Sequence, residues 1–214
     1  NNPPFGANRV TPFRGAIAMS RSAPTLAAGL LCLALAGCAL AAGSRPPTTY
    51  DLVAPRSFAG TPKPAAWQLV VYEPTAIHAL ETDRLMVRPS SDQVSYYKGV
   101  AWSDRLPRLV QARIIETFQN SGAVKTVSAT NGQYALVTDL RSFQIDVSSG
   151  KASAEIEIFA KLVNISTGKV MATKGFTARV PATTDSPTDA IAAMNQAFTE
   201  VLQDTTTWVA SRRA

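Results

Sequence analysis

The sequence predicts an α+β domain in which a mostly antiparallel sheet carries two helices packed on one face. Long segments of alternating apolar and polar residues between positions 134 and 180 predict the sheet. Two segments with apolar residues at helical spacing, near 106–118 and 187–209, predict the helices. Hydrophobic residues make up 46% of the 214 residues and charged residues 17%, which is enough to bury a sizeable core.

Residues 1–37 are predicted to form a leader with a lipoprotein signal peptide, whose start is either Asn1 or Met19. The apolar stretch at 26–37 is too short to span a bilayer, which needs about 20 residues. Arg21 precedes this stretch and small residues follow it, which is the order of a secretory signal.

The end of the apolar stretch, Leu35-Ala36-Gly37-Cys38, resembles the lipobox of bacterial lipoproteins. The resemblance implies cleavage between Gly37 and Cys38, a diacylglycerol on the thiol, and acylation of the new amino group by a chain such as palmitate. Three acyl chains anchor a protein stably, because each buried CH₂ contributes about 0.8 kcal/mol. Ala39 stands where inner-membrane lipoproteins of Gram-negative bacteria usually carry Asp, which implies the periplasmic face of the outer membrane.

Residues 38–49 are expected to form the lipidated cysteine and a tether, and residues 50–214 a single domain. Small residues and the Pro46-Pro47 pair make the tether semi-extended, with a reach of at most about 35 Å. Residues 50–53 predict a short first strand. The proline-rich stretch 55–66 predicts a loop.

The next part of the chain predicts three strands and a helix. The strands cover 67–72, 84–88 and 93–97, and Lys98-Gly99 is expected to be a turn. Ser103 is the expected N-cap of the helix, and Gly122 its C-terminal cap. The apolar stripe of this helix consists of Leu106, Leu109, Val110, Ile114 and Phe118.

Three strands joined by turns at 148–150 and 164–168 follow, and a second helix ends the domain. The alternation changes parity near Arg141-Ser142, which predicts a bulge or sharp bend. Ser186 is the expected N-cap of the second helix, with Pro187 at its first position. Its buried stripe consists of Ile191, Met194, Phe198, Val201, Leu202 and Val209.

The composition excludes several kinds of chemistry after the leader. The two cysteines, Cys32 and Cys38, belong to the leader region, and His78 is the single histidine. A disulfide framework, a Cys/His zinc site and a Cys–His nucleophilic pair are therefore excluded. Glycine-rich phosphate motifs are missing as well. We predict no catalytic residue, no metal and no cofactor.

The net charge of +6 does not indicate a nucleic-acid partner. Arg9, Arg14 and Arg21 precede Cys38 with no acidic residue beside them, so half of the excess belongs to the leader. The remaining basic residues are scattered and form no basic helix face.

Three aromatic residues form a candidate partner interface. Tyr96, Tyr97 and Trp102 crowd the approach to the first helix, and such residues are enriched in binding hot spots. They are also ordinary core residues, so both interpretations stay open.

The segment Tyr96–Gln111 resembles the ABC-type transport auxiliary lipoproteins, the PqiC-like family. Shorter matches lie at Tyr50-Asp51-Leu52, at 83–88 and at 139–143, in the expected order behind a lipobox. The resemblance implies a non-enzymatic periplasmic subunit of an MCE-type lipid transport system. Its expected partner is the MCE-domain substrate-binding protein, which it would dock at the outer membrane.

Two other functions and the oligomeric state stay open. The lipoprotein could itself carry a lipid between its sheet and its helices. An envelope hydrolase could use Glu155 and Glu157, which share one face of a strand about 7 Å apart, although a solvated strand face has the same pattern. A homo-oligomer is compatible with the sequence.

Overall fold

The computed structural model describes residues 46–58, 64–127 and 132–212. The predicted leader, the cleavage site at Gly37, the lipid attachment at Cys38 and most of the tether lie outside these residues. The described part contains nine strands, one 3₁₀ turn at His78–Leu80 and two helices. The α+β class is confirmed.

The elements follow the predicted order, with two additional short strands. The helices are α1 (Leu106–Ser121) and α2 (Pro187–Ala210). The strands are β1 (Thr48–Tyr50), β2 (Gln68–Val71), β3 (Thr75–Ala76), β4 (Arg84–Ser90), β5 (Gln93–Trp102), β6 (Lys125–Thr126), β7 (Tyr134–Asp146), β8 (Ser153–Asn164) and β9 (Val170–Pro181).

Strand β7 is the centre of the sheet. One of its edges pairs along its whole length with β8, and β8 pairs in turn with β9. The other edge of β7 pairs in succession with β2, β3 and β4. The sheet continues from β4 through β5 to β1, and from β2 to β6.

The sheet is mixed, which corrects the prediction of a mostly antiparallel sheet. The long ladders β7–β8, β8–β9 and β4–β5 are antiparallel. The short pairings of β7 with β2, β3 and β4 are parallel, as are β1–β5 and β2–β6. Alternation along a strand shows which side chains are buried, but it carries no information about the direction of the neighbouring strand.

The predicted bulge at Arg141-Ser142 is confirmed. Leu140 pairs with Ile158 and Ser142 with Glu157, so one residue of β7 is extra at this point. The bulge keeps Leu140 and Phe143, which have opposite parity, on the same buried face of the sheet.

The prediction of a turn at Lys98-Gly99 is wrong, because β5 continues to Trp102. Tyr96 of β5 pairs with Met86 of β4, and the next pair along the ladder is Ala101 with Arg84. Between these two pairs β5 contains more residues than β4. Gly99 has a φ of 72°, a conformation that glycine adopts without strain, and it permits this irregularity within the strand.

The N-cap of α1 differs from the predicted residue, whereas that of α2 agrees with it. The N-cap of α1 is Arg105 and not Ser103, whose hydroxyl donates to Asp51 Oδ1 instead. The N-cap of α2 is Ser186 as predicted, and its hydroxyl oxygen accepts from the backbone N–H of Asp189 at 3.2 Å.

One hydrophobic core lies between the sheet and the helices. Helix α2 packs on β7, β8 and β9, and α1 packs on β2 and β6. Phe143 on β7 forms edge-to-face contacts with Phe198 on α2 and Trp102 on β5. These three rings join the sheet to the longer helix.

Candidate functional site

Trp102 belongs to the core. Its side chain is 2% exposed, and its ring centroid lies 6.1 Å from that of Phe143. Its backbone N–H donates to the carbonyl oxygen of Asp83 at 2.6 Å. The core interpretation therefore describes this residue, and its indole is not part of an accessible surface.

The two tyrosines are half-buried and reach different parts of the fold. The Tyr96 hydroxyl donates to the carbonyl of Ala79 at 3.1 Å, and the Arg84 guanidinium lies 4.1 Å from the centre of its ring. The Tyr97 hydroxyl donates to the carbonyl of Asp185 at 2.5 Å, just before α2 begins. Burial raises the pKa of the Tyr97 phenol above its usual range.

The structure therefore does not assemble Tyr96, Tyr97 and Trp102 into one surface. Each tyrosine hydroxyl has a partner inside the domain, and the tryptophan is enclosed. A role of the two tyrosines in partner binding stays a prediction.

A feature that the sequence did not reveal is an extended segment, residues 51–57, that lies across both helices. We call this segment the strap. The Arg113 guanidinium of α1 donates to the carbonyl of Leu52 at 2.6 Å. The Asn195 amide of α2 accepts from the N–H of Val53 at 2.9 Å and donates to the carbonyl of Asp51 at 3.4 Å. Both helices thus bind the strap backbone.

Two more amide side chains hold the end of the strap. Asn120 of α1 donates to the carbonyl of Pro55 at 3.1 Å, and Gln203 of α2 donates to that of Ser57 at 2.8 Å. Leu52 is buried. The strap has no regular secondary structure, so these side chains satisfy backbone groups that a ladder or a helix would otherwise satisfy.

Arg113 is the centre of the strap contacts. Its guanidinium binds the Leu52 carbonyl, the Asp51 carboxylate at 2.6 Å and the Glu116 carboxylate at 2.8 Å. Asp51 also accepts from the Ser103 hydroxyl at 3.0 Å. This cluster fixes the point at which the chain from the tether enters the fold.

We expect Arg113→Met to lower the free energy of unfolding by about 1.5–3 kcal/mol, because it leaves the Leu52 carbonyl and the Asp51 carboxylate without their charged donor. Urea denaturation of the chain from residue 38, with Ser in place of Cys38, measures the effect. Arg108→Met is the matched control, since Arg108 makes one exposed pair with Asp104 and should cost less than about 0.5 kcal/mol. Equal stability of both variants would show that the strap does not depend on Arg113.

The two glutamates proposed for hydrolysis each have their own arginine. Glu155 pairs with Arg179 at 2.9 Å, and Glu157 pairs with Arg141 at 3.2 Å. Arg179 also reaches Asp146, whose carboxyl has a lowered pKa mainly because the Ser148 hydroxyl donates to it. Opposite-charge pairs across neighbouring strands contribute to the stability of a sheet.

The described residues contain neither a metal-ligand cluster nor a helix suited to crossing a membrane. His78 is exposed in the 3₁₀ turn. Within residues 46–58, 64–127 and 132–212, histidine, cysteine and acidic side chains form no group of three that could hold a metal ion. The helices of this part of the chain are not long and apolar enough to cross a membrane.

Comparison with known families gives a match over most of the domain. The model of the family described as ABC-type transport auxiliary lipoprotein component matches residues 50–205. This range begins at the last residue of β1 and ends within α2, so it includes the strap, strands β2 to β9 and the residues of both helices that bind the strap.

Individual relatives match most of this chain. An uncharacterized protein of Bradyrhizobium diazoefficiens is 30% identical over 164 residues, which are 75% of this chain and 44% of that protein. The chain thus spans less than half the length of this relative. A crystal structure of a Xanthomonas campestris protein has 27% identity and a TM-score of 0.70, covering 76% of this chain and 95% of that one.

A more distant structure shows the fold alone. A hypothetical protein of Chlamydia trachomatis superimposes with a TM-score of 0.51 at 7% identity, covering 68% of this chain and 96% of that one.

Proposed function

The chain belongs to the ABC-type transport auxiliary lipoprotein component family, and from this premise we propose that it docks an MCE-type lipid transport system at the outer membrane. In this role the protein is a non-enzymatic, lipid-anchored subunit on the periplasmic face. Its partner is the MCE-domain substrate-binding protein of the transporter.

The observation that carries the proposal is the family match at 50–205 behind Leu35-Ala36-Gly37-Cys38. A lipid on Cys38 and a tether of about a dozen residues keep the domain within about 35 Å of the membrane. A domain held this close to one membrane is suited to recruiting a partner there.

The strap supports a mechanical role for the anchored end of the domain. The tether continues directly into β1, which pairs with β5, and then into the strap, which both helices hold. Force on the anchor is therefore transmitted to the sheet and to both helices.

We expect the lipoprotein and the MCE-domain protein encoded with its transporter to co-purify from solubilised membranes. Affinity purification followed by mass spectrometry tests this association, and density-gradient fractionation tests the outer-membrane location. A tagged lipoprotein of the same host and a different family is the control. Wild-type protein that sediments with the inner membrane, or that recovers no MCE-domain protein, would contradict the proposal.

A groove between α1 and β2 favours lipid carriage as a second candidate function. Its walls include Val70, Val71, Ile115 and Val127, with the exposed ring of Tyr72 at its border. The volume of about 490 Å³ lies within the range of small-molecule sites. Mass spectrometry of the chain with Ser in place of Cys38 distinguishes the two functions, because carriage requires co-purified lipid and docking does not.

A further inference from the structure

One end of the sheet exposes apolar side chains where β8 turns into β9. Ile165, Val170 and Met171 are 36%, 48% and 45% exposed, and they follow one another closely along the chain. We call these three residues the distal patch. Large exposed apolar side chains that cluster in this way mark interaction surfaces more often than single ones do.

A β-bulge produces part of the distal patch. Val163 pairs with Val170 and Leu162 with Ala172, so Met171 is an extra residue on β9. Successive side chains normally alternate between the two faces of a strand, but here Val170 and Met171 are both exposed. Bulges commonly redirect side chains next to functional sites.

The turn between the strands does not require these apolar residues. The Asn164 carboxamide oxygen accepts from the backbone N–H of Thr167 at 3.1 Å and from the hydroxyls of Ser166 and Thr167. Gly168, with a φ of 67°, completes the turn. Polar residues thus form the turn, and the turn does not explain why the residues beside it are apolar and exposed.

A groove adjoins the distal patch and would extend a contact made there. Ile165 lines it together with Trp67 and Tyr134, whose rings meet edge to face at 5.0 Å. The groove has a volume of about 340 Å³. The backbone N–H of Ile165 donates to the carbonyl of Gln133 at 3.0 Å, which holds this wall in place.

The distal patch lies far from the point where the tether joins the domain. Thr48 pairs with Val100, and the pairings through β4 place these two residues at about the level of Phe143 on β7. Tyr134, at the end of β7 beside the patch, lies about eight residue steps or roughly 26 Å from that level. Five strand spacings separate β1 from β9, which adds about 24 Å across the sheet.

The distal patch and the entry point of the anchored chain therefore lie at different ends of the sheet. The patch lies roughly 35 Å from Thr48. β1 also runs toward the end of the sheet that holds the patch, so the chain approaches Thr48 from the opposite side.

The chain segment that carries the distal patch has basic residues and no acidic ones. Between Glu157 and Asp185 the chain contains no acidic residue, but it contains four basic residues. Three of them, Lys161, Lys169 and Lys174, are exposed near this end of the sheet. A complementary surface has an apolar centre and an acidic rim.

We propose that the distal patch is the docking surface for a protein partner that inserts an apolar anchor between acidic residues. The inference rests on the proposed docking function, in which this partner is the MCE-domain protein. An anionic membrane has a similar chemistry. We favour the protein partner because the patch lies far from Thr48, so a domain whose entry point faces the anchoring membrane holds the patch away from that membrane.

Binding of purified MCE-domain protein to the detergent-solubilised lipoprotein tests the proposal. We expect Met171→Lys to weaken binding by about 30-fold, the loss of one hot-spot residue. Val94→Lys is the matched control, because Val94 is 51% exposed on β5 and lies away from the patch; its binding should stay within about twofold of wild type. Since Met171 is exposed, the thermal midpoint of the Met171→Lys protein should equal that of wild type. If that midpoint falls, the binding test is made with Met171→Ser instead.

The outcomes separate this inference from the proposed function. Wild-type binding that both Met171 variants leave intact would overturn the docking surface and leave the docking function standing. Absence of wild-type binding would overturn both the docking surface and the docking function.

Vesicles of phosphatidylethanolamine and phosphatidylglycerol test the alternative, that the patch binds an anionic membrane. The protein for this test carries Ser in place of Cys38, so that no lipid anchor holds it on the vesicles. If adding Met171→Lys releases this protein from the vesicles but leaves its binding to the MCE-domain protein intact, the patch contacts a membrane and the proposal is wrong.

Discussion

Replacing Phe198 with alanine is expected to lower the free energy of unfolding by about 3–5 kcal/mol, a large part of the 5–15 kcal/mol that stabilises a typical domain. Phe198 is fully buried in the middle of α2. Its ring centroid lies 5.6 Å from that of Phe143, which also contacts Trp102. The substitution leaves a cavity at the junction of α2 with the central strand.

Urea denaturation of the chain from residue 38, with Ser in place of Cys38, measures this effect. Gln196→Ala is the control on the same helix, because Gln196 is exposed and makes one side-chain bond, to Glu200. We expect this control to change stability by less than about 0.5 kcal/mol. A Phe198→Ala midpoint equal to that of the control would mean that α2 does not pack on the sheet as described.

The second large effect is expected from Cys38→Ser, which should abolish acyl labelling and release the protein from the membrane fraction. The motive is the Leu35-Ala36-Gly37-Cys38 sequence behind the apolar stretch. Serine has no thiol to receive diacylglycerol, and without acyl chains the anchoring free energy of about 0.8 kcal/mol per CH₂ is lost. Metabolic labelling with a fatty acid and membrane fractionation measure the two effects.

Cys32→Ser is the matched control for the lipid anchor. Cys32 lies inside the apolar stretch, where the predicted peptidase and acyltransferase do not act. Labelling of the Cys32→Ser protein should equal that of wild type. If labelling is lost with Cys32→Ser and kept with Cys38→Ser, the attachment site is misassigned.

The two variants separate the anchor from the domain. Cys38→Ser should remove the protein from the membrane while the distal patch still binds its partner. Met171→Lys should do the reverse, keeping the protein in the membrane while binding is lost. Docking at a membrane needs both properties, so either variant should impair transport.

Local pattern was sufficient for β7, β8, β9 and α2. The alternation along residues 134–180, its parity change near Arg141 and the Ser186 cap were all predicted, and the structure confirms them. In each case the cause lies within a few residues: a side-chain period, a one-residue slip, or a hydroxyl next to a free N–H.

The candidate interface shows where local pattern was not sufficient. The alternation and capping rules did not place Trp102, because a tryptophan before a helix can face a partner or the core equally well. Its burial depends on Phe143, about 40 residues away along the chain. Ser103 is not the N-cap: its N–H and its hydroxyl donate to Tyr50 and Asp51, and the helix begins two residues later, after Arg105.

The sequence was sufficient to predict the class of the fold, the long strands β7, β8 and β9, the helix α2, the family and a lipid attachment site. Four features could be read only from the folded molecule: the mixed sheet, the short strands β3 and β6, the strap held by Arg113 and Asn195, and the position of the distal patch far from Thr48. They depend on interactions between groups that are distant in the chain. A helix or a long strand shows its period within a dozen residues, whereas a two-residue strand or a strap is held by groups that are distant in the chain and have no periodic pattern.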